Sequence, residues 1–191
     1  LNTWLFKNGY LKLRGDMQKS DKVYLKDVDW SRTTAYAIGL AGIYINQRDR
    51  ELQGIVPEGE EAAYLVSEIV EKLTGLADPE TEDVAIQQAV SSRDAYQGPY
   101  VSAAPDIVVG YNVGYRVSWE SAVGKTSGRV FTDNRKAWSG DHCVHPALVP
   151  GVLFSSVKVN QSNANITDLA PTILDLLGVH KPGYMDGESL L

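Results

Sequence analysis

One short run of the chain, residues 138–146 (WSGDHCVHP), contains most of the side chains that could perform chemistry. It includes Asp141, His142 and His145 together with the only cysteine, Cys143. Imidazole binds zinc and related divalent ions, and a nearby carboxylate can be a further ligand or can orient an imidazole. Neighbouring side chains of an extended segment point apart, which disfavours a catalytic pair of His142 and Cys143. The run predicts at least one metal ligand, whereas a polar loop with hydrogen-bonded histidines is the alternative.

A second group of candidates lies in the charged turn at residues 47–51 (QRDRE). The guanidinium groups of Arg48 and Arg50 could contact an anionic substrate, although turns between strands are often this polar without binding anything. The sequence contains no glycine-rich phosphate loop, no paired CxxC motif and no GxSxG elbow. A catalytic zinc usually has three protein ligands, so the remaining ligands of a site in residues 138–146 must come from elsewhere.

Composition limits the classes of function. The chain has 191 residues, of which 43% are hydrophobic, and this is enough to bury a core. Its net charge of −6 and the absence of a basic stripe argue against nucleic acid as a main partner. No apolar run approaches the length of a membrane span. A single cysteine excludes an internal disulfide and leaves the cellular compartment open.

Hydrophobic periodicity predicts alternating strands and helices. Apolar residues recur at helical spacing after Leu1, after Gly59 and after Asp168, and Asp168 is the predicted N-cap of the last helix. Gly9, Gly75 and Gly178 are the predicted ends of these three helices. Predicted strands are 10–13, 83–90, 105–110 and 149–155, with one long strand or two short strands bent at glycine within 35–46. This alternation predicts an α/β fold with a mixed, mostly parallel sheet flanked by helices. Because Leu1 lies directly in patterned sequence, we expect the chain to be part of a longer protein.

Several stretches, in a constant order, resemble the type I phosphodiesterase/nucleotide pyrophosphatase-like proteins of the alkaline phosphatase superfamily. The resemblance extends over nearly the whole chain. The matching stretches are 42–46 with 50–56, 104–110, 140–155, and 168–174 with 185–187.

This resemblance implies an alkaline phosphatase-like fold in which residues 1–191 are the C-terminal portion and 47–136 form a smaller inserted lobe or cap region. It implies a hydrolase of a phosphate-ester or phosphodiester small molecule that uses two zinc ions, or manganese or magnesium instead. His142 matches the late histidine ligand of one zinc, whereas His145 stands where an acidic or neutral residue is expected. The Ser or Thr nucleophile and the other ligands would belong to an N-terminal part of the same protein, so we expect this chain to be inactive alone.

Two other interpretations remain open. The chain could be a stand-alone, non-catalytic domain that binds a ligand or partner through the long polar stretch 114–138. Alternatively, the parent enzyme could be a phosphoglycerate mutase-like or sulfatase-like relative, because the last helix is common to all of these.

Overall fold

The computed structural model describes residues 1–138, 140, 143–160 and 163–191, and the chain forms two compact units, Leu1–Pro150 and Gly151–Leu191. Single turns of 3-10 helix form at Val101–Ala103, Pro146–Leu148 and Ile166–Asp168. The regular elements, in chain order, are α1 (Asn2–Lys7), β1 (Ala35–Ile38), β2 (Gly42–Ile45), α2 (Glu60–Leu73), β3 (Ile86–Ser91), α3 (Ser92–Ala95), β4 (Ile107–Tyr111), α4 (Trp119–Ala122) and α5 (Leu169–Leu176).

The sheet of the first unit has four strands in the order β1-β2-β4-β3, and every neighbouring pair in it is antiparallel. The α/β class is therefore confirmed, but the prediction of a mostly parallel sheet is wrong. The turn between β1 and β2 contains Gly39 at φ +79°, and only residues 39–41 separate the two strands. Parallel neighbours need a crossover of a dozen or more residues, so this connection forces a hairpin.

Sequence periodicity located the other elements with mixed success. The two-strand interpretation of 35–46 is confirmed, as are the helices that end before Gly9, Gly75 and Gly178, all three of which have positive φ. The predicted strand at 10–13 is wrong, since these residues form only an isolated bridge between Leu13 and Val28. The predicted strand at 149–155 is also wrong, because these residues have no regular structure and lie mostly exposed.

The core of the first unit lies on one face of the sheet. Because side chains alternate along a strand, Ile43 and Ile45 of β2 point to the same face as Ile107 and Val109 of β4. Helix α2 covers this face. Its side chains Ile69 and Leu73 lie about one helical turn apart and are both fully buried. Glu60 and Glu61 occupy the first turn of α2, where the helix dipole favours acidic side chains.

The loop that follows β2 is fixed by one buried asparagine. The Asn46 Nδ2 group donates to the carbonyl oxygens of Trp30, Thr33 and Gln53 at 3.1, 2.9 and 3.1 Å. The loop closes tightly at Gly54, where a Cβ atom would lie 1.9 Å from the carbonyl oxygen of Gln47. This closed loop holds the charged turn 47–51 in place at the end of β2.

The second unit is organised by a carboxylate rather than by a large apolar core. Asp168 accepts backbone hydrogen bonds from Asn165 at 2.8 Å and from Glu188 at 2.9 Å. The Thr172 hydroxyl donates to the Asp168 carbonyl and accepts from the backbone of Leu190. The predicted N-cap position of Asp168 is confirmed, although its side chain binds the preceding turn and the C-terminal tail instead of α5.

Among the residues that the structure describes, no helix has the length and apolar character needed to cross a bilayer.

Candidate functional site

A cleft of about 590 Å³ opens where the loop after β2 meets the junctions that flank α3 and precede β4. Arg48 and Arg50, the two arginines proposed from the sequence, both line it. Ser92 and Arg93 at the start of α3 and Ser102 of the adjacent 3-10 turn also contribute. The remaining lining residues are Gln47, Asp49, Glu58, Val101, Ala104 and Asp106. The structure thus brings both predicted arginines into one concave surface together with residues far away in sequence.

Arg50 is fully engaged within the protein. Its guanidinium donates two hydrogen bonds to Asp106, with Nη1–Oδ1 at 2.9 Å and Nη2–Oδ2 at 2.6 Å. It also donates to the Ile45 carbonyl at 2.7 Å and to the Glu51 carboxylate at 3.2 Å. The hydrogen bonds to Asp106 raise the pKa of Arg50 above its ordinary value. The negative charges of Asp106 and Glu51 raise it as well. Arg50 therefore forms part of the wall of the cleft, and its charge is already compensated.

Asp106 joins three segments that line the cleft. Besides accepting from Arg50, its carboxylate accepts the backbone N–H of Ile45 at 2.6 Å. Its carbonyl oxygen accepts the backbone N–H of Ser92 at 3.0 Å. The end of β2, the start of α3 and the start of β4 are therefore held together at one residue, which fixes the shape of the cleft.

The other arginines of the cleft have few internal contacts. Arg48 donates one long hydrogen bond, 3.3 Å, to the carbonyl of Ile55. The Arg93 guanidinium makes no hydrogen bond or ion pair with any residue of the described ranges, and its side chain is exposed. These two cations are therefore placed to contact a molecule that enters the cleft.

His145, the second candidate from residues 138–146, has both ring nitrogens occupied. Nδ1 accepts the backbone N–H of Ala147 at 3.3 Å, so the neutral ring has its proton on Nε2 and donates to the Gln88 Oε1 atom at 3.0 Å. The ring lies over Gly110 of β4, where a Cβ atom would be 2.8 Å from its Cδ2 atom. A metal could bind His145 only after replacing one of these contacts, which favours a role in anchoring the loop.

The segment around His145 is attached to the end of the sheet. Val144 forms a parallel bridge with Tyr111, and the backbone N–H of His145 donates to the Tyr111 carbonyl at 2.9 Å. On the other side of the segment, Arg116 donates to the carbonyl of Gly140 at 3.3 Å.

Asp141 and His142 lie outside the described residues, so their predicted roles as metal ligands stay predictions. Within the described parts of the chain, no group of three or more His, Cys, Asp or Glu side chains could hold a metal ion.

Sequence reasoning did not place Ser92, Arg93 or Asp106 in a site. Position 106, directly after Pro105 at the entrance of an apolar strand, was the available signal. Arg93 offered no signal, because its place in the cleft depends on the path of the chain between β3 and β4.

Comparison with protein-family models, with curated proteins and with solved structures found no match for this chain. Its function must therefore be argued from its own residues and from the motif resemblance.

Proposed function

We propose that this chain is the C-terminal part of a metal-dependent phosphohydrolase or phosphodiesterase of the nucleotide pyrophosphatase-like type. The observation on which this proposal depends is the ordered set of motifs that includes Gly140-Asp141-His142-Cys143 and the helix motif 168–174. The inserted lobe at 47–136 and the two-metal chemistry belong to the same proposal. Residues 47–136 include β3 and β4 of the sheet and all of the residues that line the cleft.

The attachment of Val144 and His145 to the sheet supports the proposed ligand role of His142. Metal ligands in α/β proteins are often held in loops at the edge of a rigid sheet, and here Val144 and His145 attach such a loop to Tyr111. In this arrangement His145 positions the loop through Gln88, and the neighbouring His142 provides the imidazole ligand. Two metal ions bound in the intact enzyme would stabilise the attacking and leaving oxygens of a phosphoryl transfer.

The exposed apolar residues of the second unit support a partner from the N-terminal part of the same protein. Val152 and Phe154 are 83% and 92% exposed. Ile173, Leu176 and Leu177 at α5 and its C-cap are likewise more than half exposed. Apolar side chains need a surface to cover them. We infer that an N-terminal part of the same protein supplies this surface.

The test is the substitution His142→Ala in the intact protein. We expect loss of most of the bound zinc and a decrease of more than about 100-fold in hydrolysis of a phosphodiester such as bis-(4-nitrophenyl) phosphate. Metal content is measured by elemental analysis, so that a loss of metal is seen independently of activity. His180→Ala is the matched control, because this histidine is exposed and lies outside the motif. Unchanged metal content and activity in His142→Ala would exclude the proposal.

A second candidate function is favoured by the cleft. Arg48 and Arg93 make few internal contacts there, which fits a ligand-binding domain that needs no metal. A cooperative unfolding transition of the 191-residue chain alone, together with ligand binding by it, would favour this candidate. Hydrolysis by the intact protein that depends on His142 would favour the first candidate.

Profiling phosphomonoesters, phosphodiesters and sulfate esters would then separate the proposed class from phosphoglycerate mutase-like or sulfatase-like enzymes.

A further inference from the structure

We propose that the cleft binds the phosphate group of a small, hydroxyl-bearing molecule through Arg48, Arg93 and the Ser92 hydroxyl. The residues that line the cleft include none of the described residues 143–145, and its ligand needs no metal ion. This inference therefore does not rest on the proposed hydrolytic function.

The charges of the cleft divide into a compensated pair and a pair that can bind a ligand. Arg50 is neutralised by Asp106, so it adds no attraction for an anion. Arg48 and Arg93 are exposed cations without a carboxylate partner in the described residues. Guanidinium groups bind phosphate in a bidentate manner, with two short charge-assisted hydrogen bonds for each group.

Ser92 provides an observation independent of these charges. Only 6% of this residue is exposed, and it lines the cleft. Its backbone N–H donates to Asp106, but its hydroxyl has no hydrogen-bond partner anywhere in the described residues. The hydroxyl oxygen is not one of the fully buried unpartnered polar atoms of the described residues, so it is accessible from the cleft. A phosphate oxygen bound in the cleft would accept a hydrogen bond from it.

Two carboxylates in the same cleft restrict the rest of the ligand. Asp49, which has φ +67°, and Glu58 both line the cleft. They would repel a second anionic group, whereas they can accept hydrogen bonds from hydroxyl groups. The volume of about 590 Å³ falls within the range of small-molecule sites. A sugar monophosphate meets these requirements, with its phosphate at the arginines and its hydroxyls at the carboxylates.

The experiment is isothermal titration of the 191-residue chain with ribose 5-phosphate, inorganic phosphate and ribose, in buffer that contains EDTA. We expect ribose 5-phosphate to bind with Kd below about 1 mM, inorganic phosphate to bind more weakly and ribose to give no heat. Arg48→Gln and Arg93→Gln should each weaken binding about tenfold or more, and Ser92→Ala about fivefold. Arg93→Lys should retain part of the affinity, because it keeps the charge but loses the bidentate geometry.

Arg32→Gln is the control, because Arg32 is exposed and does not line the cleft. Circular dichroism of each variant establishes that it is folded before titration. Absence of binding by the wild-type chain at about 10 mM ribose 5-phosphate, or equal affinity of the wild type and both arginine variants, would overturn the proposal. Equal affinity for inorganic phosphate and ribose 5-phosphate would overturn the role of Asp49 and Glu58. Because the titration contains no metal, neither result changes the expectation for His142→Ala.

Discussion

Arg50 and Asp106, which are 56 positions apart in the sequence, form a two-point ion pair with N–O distances of 2.9 and 2.6 Å. The pair links the turn after β2 to the residue that directly precedes β4. The side chains are only 29% and 19% exposed, so water screens them less than it screens a surface pair. The same Asp106 carboxylate accepts the Ile45 N–H, which makes the pair part of the framework of the cleft.

Asp106→Ala should therefore destabilise the chain substantially. The substitution removes two of the hydrogen bonds of the Arg50 guanidinium and the acceptor of the Ile45 N–H, and we expect a loss of about 2–4 kcal/mol in the free energy of unfolding. Urea denaturation followed by circular dichroism measures this loss. Asp133→Ala is the matched control, because Asp133 pairs with Arg135 at 3.6 Å while both side chains are more than 80% exposed. The control should change stability by less than about 0.5 kcal/mol, and a similarly small effect at Asp106 would contradict a structural role.

Gly110→Ala tests the contact between β4 and the loop that contains His145. The added Cβ atom would lie 2.8 and 3.1 Å from two carbons of His145 and 3.2 Å from the carbonyl oxygen of Gln88. We expect a loss of about 1–3 kcal/mol and faster hydrogen exchange at the His145 amide, because the ring must move away.

The matched control for this substitution is Gly183→Ala, since a Cβ at Gly183 would meet no atom within 4 Å. In a His145→Ala background, Gly110→Ala should cost less than it does in the wild type, which double-mutant analysis can measure. Equal costs in the two backgrounds would show that the contact with the ring is not the cause.

The stability of the second unit should depend on the protonation of Asp168. Backbone hydrogen bonds from Asn165, then from Glu188, lower the pKa of this carboxyl from its ordinary value of 3.8. The ionised form is favoured in the folded state, so its contribution is complete above the ordinary pKa and is lost as pH falls through the lower, folded pKa.

NMR chemical shifts of the Asn165 and Glu188 amides, recorded between pH 6 and 2, should report this titration. Asp168→Asn should remove the acid transition from both amides and weaken the link between α5 and the C-terminal tail. If both amides titrated at the ordinary carboxyl pKa in the wild type, the proposed stabilisation would be incorrect.

Local sequence patterns predicted the structural features that depend only on residues close together in the chain. The spacing of Ile69 and Leu73 predicted the buried stripe of α2, and glycines 39, 75 and 178 marked turns or helix ends, because a positive φ costs glycine little. The direction of strand pairing could not be read in the same way. Apolar runs such as 105–110 look alike in parallel and antiparallel sheets, so only the observed hairpin corrected the prediction of a mostly parallel sheet.

The sequence by itself determined the α/β class, the positions of the main helices and the identity of residues 138–146 as the segment richest in metal-binding side chains. Only the tertiary structure showed that Arg50 is paired, that His145 is held by Gln88, and that Arg93 and Ser92 line the same cleft as Arg48. The physical reason is distance along the chain. Helical periodicity and turn preferences act within a few residues, whereas the partner of a charged side chain is fixed by how distant segments pack.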